Sequence, residues 1–321
     1  MDVAVVKVGV TIALSAILCM HIGAQESVPQ EDGFMTLEQL QEAFFWDFNT
    51  PIEVKTVAAG LHVLFGVGGN VGVSIGESGV LIVDDQFPEM VPKINDAIAE
   101  LGGGEVDFAI NTHWHFDHAD GNKALGPAGT WIVAHEHSTE MMTSGHVVNL
   151  LMMKYRQDAY PEDARPVISF NDRMTFHFNG GDIELVHAGP AHTAGDAAVF
   201  FRQQNAVHTG DVFNNQSYPF IDADSGGSID GMIKFCEVVH AMSNEDTIMI
   251  PGHGEITDIA RFDAYIEMLK TVRSRVQALK VEGKSLEEVT AANLTADFDE
   301  SFGGGFPSSG FIDRVYTSLS N

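Results

Sequence analysis

Cysteine is nearly absent: the chain has 2 in 321 residues. One of them, Cys19, falls in an apolar N-terminal stretch, which leaves Cys236 alone in the remainder. A single thiol forms no internal disulfide and no cysteine-rich metal framework. Cys236 lies in a helix-like stretch and reads as a small buried apolar side chain. Basic residues are scarce as well. The chain has 17 Lys and Arg against 45 Asp and Glu, a formal net charge of −28. A surface this acidic repels phosphate backbones and anionic headgroups, so neither nucleic acid nor a membrane surface is an expected partner. It suits solubility, and a small-molecule substrate is the partner expected.

No apolar run reaches the length of a bilayer-spanning helix. The run Val8–Met20 is too short to cross comfortably, but Lys7 precedes it and Ile22-Gly23-Ala24 follows it. That is the pattern of an export signal, although Asp2 offsets Lys7; a buried or amphipathic N-terminal segment is the alternative. Ala16-Ile17-Leu18 lacks the small residue expected before a lipid-bearing Cys19. Residues 1–24 are therefore expected to be a signal peptide and 25–50 an N-terminal extension, with the product periplasmic or secreted.

Apolar residues make up 45% of the chain and charged residues 19%, which predicts a sizeable core. Thr36-Leu37-Glu38-Gln39 resembles a helix start. Short β-like runs follow at Val54–Ala58, Leu61–Phe65, Val71–Ile75 and Val80–Val83, separated by Gly-rich turns as in an antiparallel meander. Residues 88–101 are helical in period, Val106–Ile110 is an apolar strand, Trp131–Val133 a strand and His135–Met142 a helix. Residues 144–170 read as a long connection. Strands are expected at 174–178, 183–187, 197–201, 206–208 and 247–250, and helices at 228–242 and 258–282. The second half thus resembles the first, which implies two β-sheets packed together with helices outside, a four-layer αββα sandwich of the α/β class.

The densest chemistry lies directly after the 106–110 strand. Asn111-Thr112-His113-Trp114-His115-Phe116-Asp117-His118 fits His-x-His-x-Asp-His. Imidazole and carboxylate are the ligands that zinc and similar ions take. At a strand end, a spacing of two points His113 and His115 to one face, while Asp117 and His118 on the turn can face a second position. Three other residues follow strands and are flanked by Gly or Pro, as needed where backbone approaches a tight site: His192, Asp211 and His253.

These residues resemble the metallo-β-lactamase superfamily over about 54–283, and residues 51–321 are expected to form its catalytic domain. The resemblance implies that His113, His115 and His192 hold one metal, that Asp117, His118 and His253 hold a second, and that Asp211 bridges both. Asp84 matches the first acidic motif and is implied to orient a ligand histidine. Two zinc ions are implied, with Fe or Mn as other occupants. The implied reaction is cleavage of an ester, thioester, lactone, amide or β-lactam bond by a metal-bound hydroxide, with Asp117 orienting it and relaying its proton.

Departures from the principal β-lactamase pattern matter. Asp211 stands where that subclass has Cys, and Asn214 stands where it has a Lys that grips the antibiotic carboxylate. Asn214 is the candidate substrate contact, and only weak β-lactamase activity is expected. A mononuclear iron sulfur dioxygenase of the same fold and a non-catalytic metal-binding accessory protein are the alternatives. His135 and His137, and the isolated His62, His146, His177, His187, His208 and His240, read as structural or surface groups. Phe65–Asn70 and Met152-Met153 are candidate substrate walls or ordinary core. Phe220–Gly227 reads as a loop near the site whose carboxylates support substrate selection or cap the helix that follows. Lys270, Arg273, Arg275 and Lys280 read as a solvated helix face.

Overall fold

The computed structural model describes residues 33–151 and 153–319. The expected signal peptide and Met152 lie outside the described residues. Within them, two sheets stack with helices on each outer face, which is the expected sandwich. The first sheet begins as an antiparallel meander, β1 (Glu53–Ala58), β2 (Leu61–Phe65), β3 (Val71–Gly76) and β4 (Gly79–Val83). It then becomes parallel through β5 (Phe108–Ile110) and β6 (Trp131–His135). A small antiparallel hairpin, β7 (His146–Asn149) and β8 (Lys154–Gln157), precedes β9 (Ile168–Phe170), which joins β6 in parallel and completes seven strands. The second sheet repeats the plan with five strands. Antiparallel β10 (Arg173–Phe178), β11 (Gly181–Val186), β12 (Ala198–Phe201) and β13 (Ala206–His208) pass into parallel β14 (Ile248–Ile250).

The period-two alternation of side chains builds the layers. In β4, Leu81 and Val83 point between the sheets, while Val80 and Ile82 point to the helices. In β12, Val199 and Phe201 face the inter-sheet core, and Ala198 and Phe200 face the other helical layer. On the first outer face lie α1 (Leu37–Ala43), α2 (Val91–Glu100), α3 (Phe116–Ala119), α4 (Asn122–Ala128) and α5 (Glu136–Ser144). Helix α2 buries Val91, Ile94, Ala97 and Ile98 at helical spacing. The second face carries α6 (Ile229–Ala241), α7 (Ile259–Val281), α8 (Leu286–Thr290), α9 (Asp299–Phe302) and α10 (Ser308–Ser318). Cys236 is fully buried in α6, and its burial pushes the thiol pKa up.

Three particulars were not read from the sequence. Residues from Phe34 onward form one compact unit, so the described part of the N-terminal extension packs on the domain. Its helix, which starts where expected with a capping box between Thr36 and Gln39, buries Leu40, and the segment after it sets Trp46 and Phe48 against Phe87. The connection 144–170 contains β7, β8 and β9. The three helices after residue 282 pack against α6 and α7 through Phe302, Phe311, Ile312 and Val315. No helix among the described residues is long and apolar enough to cross a membrane.

Phe201 is 1% exposed between the sheets. Truncating it to Ala leaves a cavity that two rigid sheets cannot close, so urea unfolding should show a loss of about 3–5 kcal/mol. A loss under about 1 kcal/mol would contradict the two-sheet core.

Candidate metal centre

Strand ends from both sheets converge. Asp84 follows β4, His113 and His115 follow β5, Asp211 follows β13 and His253 follows β14, each off the C-terminal end of a strand in a parallel pair. Such ends are where open α/β layers place their chemistry. His115 is the extended N-cap of α3, so Asp117 and His118 fall in its first turn and face back toward the strand end. His192 arrives on the turn before β12. That turn is tied by Asp196, whose carboxylate accepts from the backbone N–H groups of Ala191 and Thr193 and from Thr193 Oγ1.

The structure brings together all seven expected ligands as three overlapping groups: His113, His115 and His192; His113, His118 and Asp211; Asp117, His118 and His253. Within each group the ligand atoms lie within 4.8 Å of one another. Asp211 sits between the sets: Oδ1 is 3.1 Å from His118 Nε2 and 3.4 Å from His253 Nε2, and Oδ2 is 3.9 Å from His192 Nε2. Asp117 Oδ2 is 3.3 Å from His253 Nε2 and 3.8 Å from His118 Nε2.

Each of four rings is held by its outer nitrogen. His192 Nδ1 donates to the Phe220 carbonyl at 2.7 Å. His115 Nε2 donates to Asp222 Oδ2 at 3.0 Å, and His118 Nδ1 to Asp84 Oδ2 at 2.8 Å. His113 Nδ1 lies 3.0 Å from Thr112 Oγ1, which itself donates to Asp84 Oδ2 and so accepts from the ring. The inner nitrogens are thereby left with bare lone pairs in the neutral rings. His115 Nδ1 and His192 Nε2 face each other at 2.9 Å, and His113 Nε2 is buried with no partner. Facing lone pairs repel, and a buried unpaired acceptor costs about 1–3 kcal/mol. Only a proton or a cation between these nitrogens resolves both problems, so the donor set fits a metal.

Charge separates the two halves. Burial and the surrounding imidazoles hold His113 well below its ordinary pKa and His192 at about 4, so both present lone pairs. Burial also disfavours charge on His118 and His253, but carboxylates outweigh it. Asp211, Asp117 and Asp84 raise His118 well above its usual value, and Asp211 and Asp117 raise His253 to about 9. Against the burial that opposes it, the two histidines hold Asp117 low and Asp211 well below the carboxylate range. Without ions, these carboxylates thus favour protonation of His118 and His253, against the repulsion between two Nε2 atoms only 3.1 Å apart.

The backbone is fitted as tightly. A Cβ on Gly69 would lie 2.2 Å from the His118 ring, and one on Gly252 would lie 2.1 Å from Asp211 Oδ1. Neither position accommodates a side chain. Asp84 holds a left-handed backbone at φ 62, where its carboxylate also accepts from Thr112 N at 2.7 Å. That conformation costs about 1–3 kcal/mol and places one carboxylate on both His118 and Thr112.

Some functional residues escaped sequence reasoning. Asn70 Nδ2 donates to the carbonyls of Pro251 and Gly254, and so fastens the His253 turn to the first sheet. Asp222 holds the His115 ring, and the residue that caps α6 is Ser228, just past the 220–227 loop, rather than one of that loop's carboxylates. The only sequence signal for Asp222 was a carboxylate in a Gly-rich loop. Asn214 Oδ1 accepts from the backbone of Gln216 and Ser217, shaping its own turn. His135 is buried, stacked on His187 at 3.9 Å, and accepts from His137 N at the start of α5. His208 is buried between Asn70 O and Gly210 N. Met153 packs on the first helical-layer core. A cleft of about 410 Å³ opens beside His253, with Phe65, Gly68 and Asn70 on one wall and Asn215, Gln216 and Glu255 on the other.

This fold and centre define a class. The metallo-beta-lactamase superfamily model matches residues 64–258, and the chain belongs to that superfamily. It is 24% identical over 221 residues to the lactamase-like protein aptB of Emericella nidulans, covering 68% of this chain and 60% of that protein. It is 24% identical to the 2,4-dinitroanisole O-demethylase subunit alpha of a Nocardioides species, over 46% of this chain and 42% of that one. The chain thus spans about half the length of these two relatives. A probable metallo-hydrolase of Methanocaldococcus jannaschii is 23% identical over 62% of this chain and 93% of its own. Among solved structures, DIM-1 metallo-beta-lactamase superposes with a TM-score of 0.56 at 19% identity, over 69% of this chain and 98% of its own. A metallo-beta-lactamase from Pontibacter korlensis gives 0.56 at 16% identity, over 68% and 99%. These two likenesses carry the fold.

Metal must displace the protons on His118 and His253. Zinc affinity, measured by chelator competition, should fall as pH drops below about 9, by roughly tenfold per unit for each proton displaced. A pH-independent affinity between about pH 6 and 9 would show that metal displaces no protons from His118 and His253.

Proposed function

We propose that the protein is an exported dinuclear zinc hydrolase that cleaves a carbonyl ester, thioester, lactone or amide in a small uncharged substrate. The observation that carries the reading is the three overlapping ligand groups, linked by His113, His118 and Asp211. A single-metal centre needs His113, His115 and His192 and has no use for a second complete set, so Asp117, His118 and His253 favour two ions over one. Two bound zinc ions would polarise the substrate carbonyl and bring the pKa of coordinated water to about 7.

The chain's residues supply the rest. Asp117 is 17% exposed at the rim of the cluster. Its Oδ2 is placed to orient the attacking water and to take its proton. Asp84, Thr112, Asp222 and the Phe220 carbonyl fix the ring tautomers, so that the inner nitrogens are available as ligands. The cleft beside His253 receives the substrate, with Phe65 offering an apolar face and Gln216 offering an amide.

Substrate charge is read from the same cleft. No Lys or Arg lines it, and the nearby Lys55 is paired with Glu255 at 3.4 Å. With a net charge of −28, the protein also disfavours the approach of anions. The absence of a Lys or Arg on the cleft wall to grip a substrate carboxylate supports weak turnover of β-lactams at most. The Val8–Met20 run and Ile22-Gly23-Ala24 support export with cleavage after Ala24, which the N-terminal sequence of the secreted product tests.

Metal analysis of protein purified without added metal, with a panel of hydrolase substrates, tests the reading. Two zinc ions per chain are expected, with loss of activity on chelation. The kcat/KM for uncharged aryl esters, thioesters or lactones should exceed that for nitrocefin by about tenfold or more. His115→Ala should lose metal and about 100-fold or more in activity. One iron per chain with oxygen uptake on a persulfide would replace this reading with a dioxygenase. Zinc-loaded protein with no turnover on the panel would leave a metal-binding protein.

A further inference from the structure

Two ligands of the first group, His115 and His192, take their outer hydrogen bonds from a single loop. Phe220 O holds His192 and Asp222 Oδ2 holds His115. Asp222 is 0% exposed, and its backbone carbonyl accepts from Ser225 N and Gly227 N, so carboxylate and loop move together. The far side of the loop rests on α9, α10 and the segment between them, which lie beyond the matched family segment. Tyr218 stacks on Phe311 with ring centroids 5.3 Å apart, and its hydroxyl donates to Asp299 at 2.8 Å. Phe220 meets Phe306 edge-on at 5.7 Å.

One polar contact fixes the loop's position along α10. Arg314, with a side chain 7% exposed, donates from Nη1 to Asp224 Oδ2 at 3.2 Å. The same oxygen accepts from Asn149 Nδ2 of β7 at 2.9 Å. Arg314 is itself held by Asp313 and by its buried neighbours Phe311, Ile312 and Val315. A planar guanidinium on a packed helix is a rigid anchor. The other set has different supports: His118 is held by Asp84, and the His253 turn by Asn70.

We propose that Arg314 is a positioning residue for the first metal group, acting through Asp224 and the 220–225 loop on the rings of His115 and His192. The C-terminal helices are then part of the metal centre's support. This rests on the two-metal reading above. Shifting the loop tilts two of the three imidazoles of one group and none of the other, so the signature of Arg314 is selective loss at one site.

The test is zinc titration against a chromophoric chelator for the wild-type chain, Arg314→Met and Arg314→Lys. Each is measured alone, in a His253→Ala background that leaves the first group complete, and in a His192→Ala background that leaves the second. Unfolding temperatures of the metal-free forms are recorded alongside. Arg314→Met should weaken one of the two zinc equivalents by about tenfold or more, in the otherwise wild-type and His253→Ala chains only. Arg314→Lys, which keeps the charge without the planar fork, should recover only part of that affinity, and cobalt-substituted Arg314→Met should show an altered visible spectrum. Unchanged affinity at both sites, or an equal loss at both together with a lowered unfolding temperature, would overturn the proposal. If Arg314→Met does not fold, Asp224→Asn weakens the same contact from the loop side and must give the same one-site pattern. A wild-type chain that binds no zinc would fail the two-metal reading itself, an outcome distinct from two sites of unchanged affinity.

Discussion

His115 Nδ1 and His192 Nε2 face each other across 2.9 Å, each made a bare acceptor by the hydrogen bond its ring donates on the far side. Nearby, His113 Nε2 is buried with no partner at all. This arrangement is repulsive unless positive charge occupies the space between, and the surroundings are built to keep it so. Asp222, the Phe220 carbonyl and the Thr112–Asp84 pair fix the tautomers, while burial keeps His113 and His192 neutral. The fold thus holds an unfavourable cluster that a cation makes favourable.

The two-sheet architecture makes that cluster possible. Each sheet changes from antiparallel to parallel on the way to the site, so several strand ends with their loops point at one place. Asn70 fastens the His253 turn of the second sheet to the β2–β3 loop of the first, and Asp84 reaches from β4 to the His118 ring. The Asp117, His118, Asp211 and His253 half differs electrically from its neighbour. Its carboxylates favour protonation of the histidines, whereas burial and neighbouring imidazoles keep His113 and His192 as lone-pair donors in the first half.

The four layers, and the seven side chains that gather into groups able to hold metal, were legible because they rest on local rules. Short continuous apolar runs bounded by Gly-containing turns mark strands such as Val80–Val83, and His or Asp directly after such strands, beside Gly or Pro, mark the site. The rest was not local. Strand β9 has only three residues and is defined by its partner β6, and the β7–β8 hairpin carries too few apolar positions to declare a period. Asn70 and Asp222 act across 181 and 107 residues of sequence, and nothing in their immediate surroundings distinguishes them from turn residues. Asn214 illustrates the converse: a position chosen by resemblance has its carbonyl committed to the turn at Gln216 and Ser217.

The central claim is that this constellation holds two ions, one among His113, His115 and His192 and one among Asp117, His118 and His253, with Asp211 between. Anomalous diffraction from crystals of zinc-loaded protein, recorded on both sides of the zinc absorption edge, addresses it directly. The account predicts two anomalous peaks about 3.5–4 Å apart, each within bonding distance of one group. A single peak, or density displaced from these nitrogens, would contradict it.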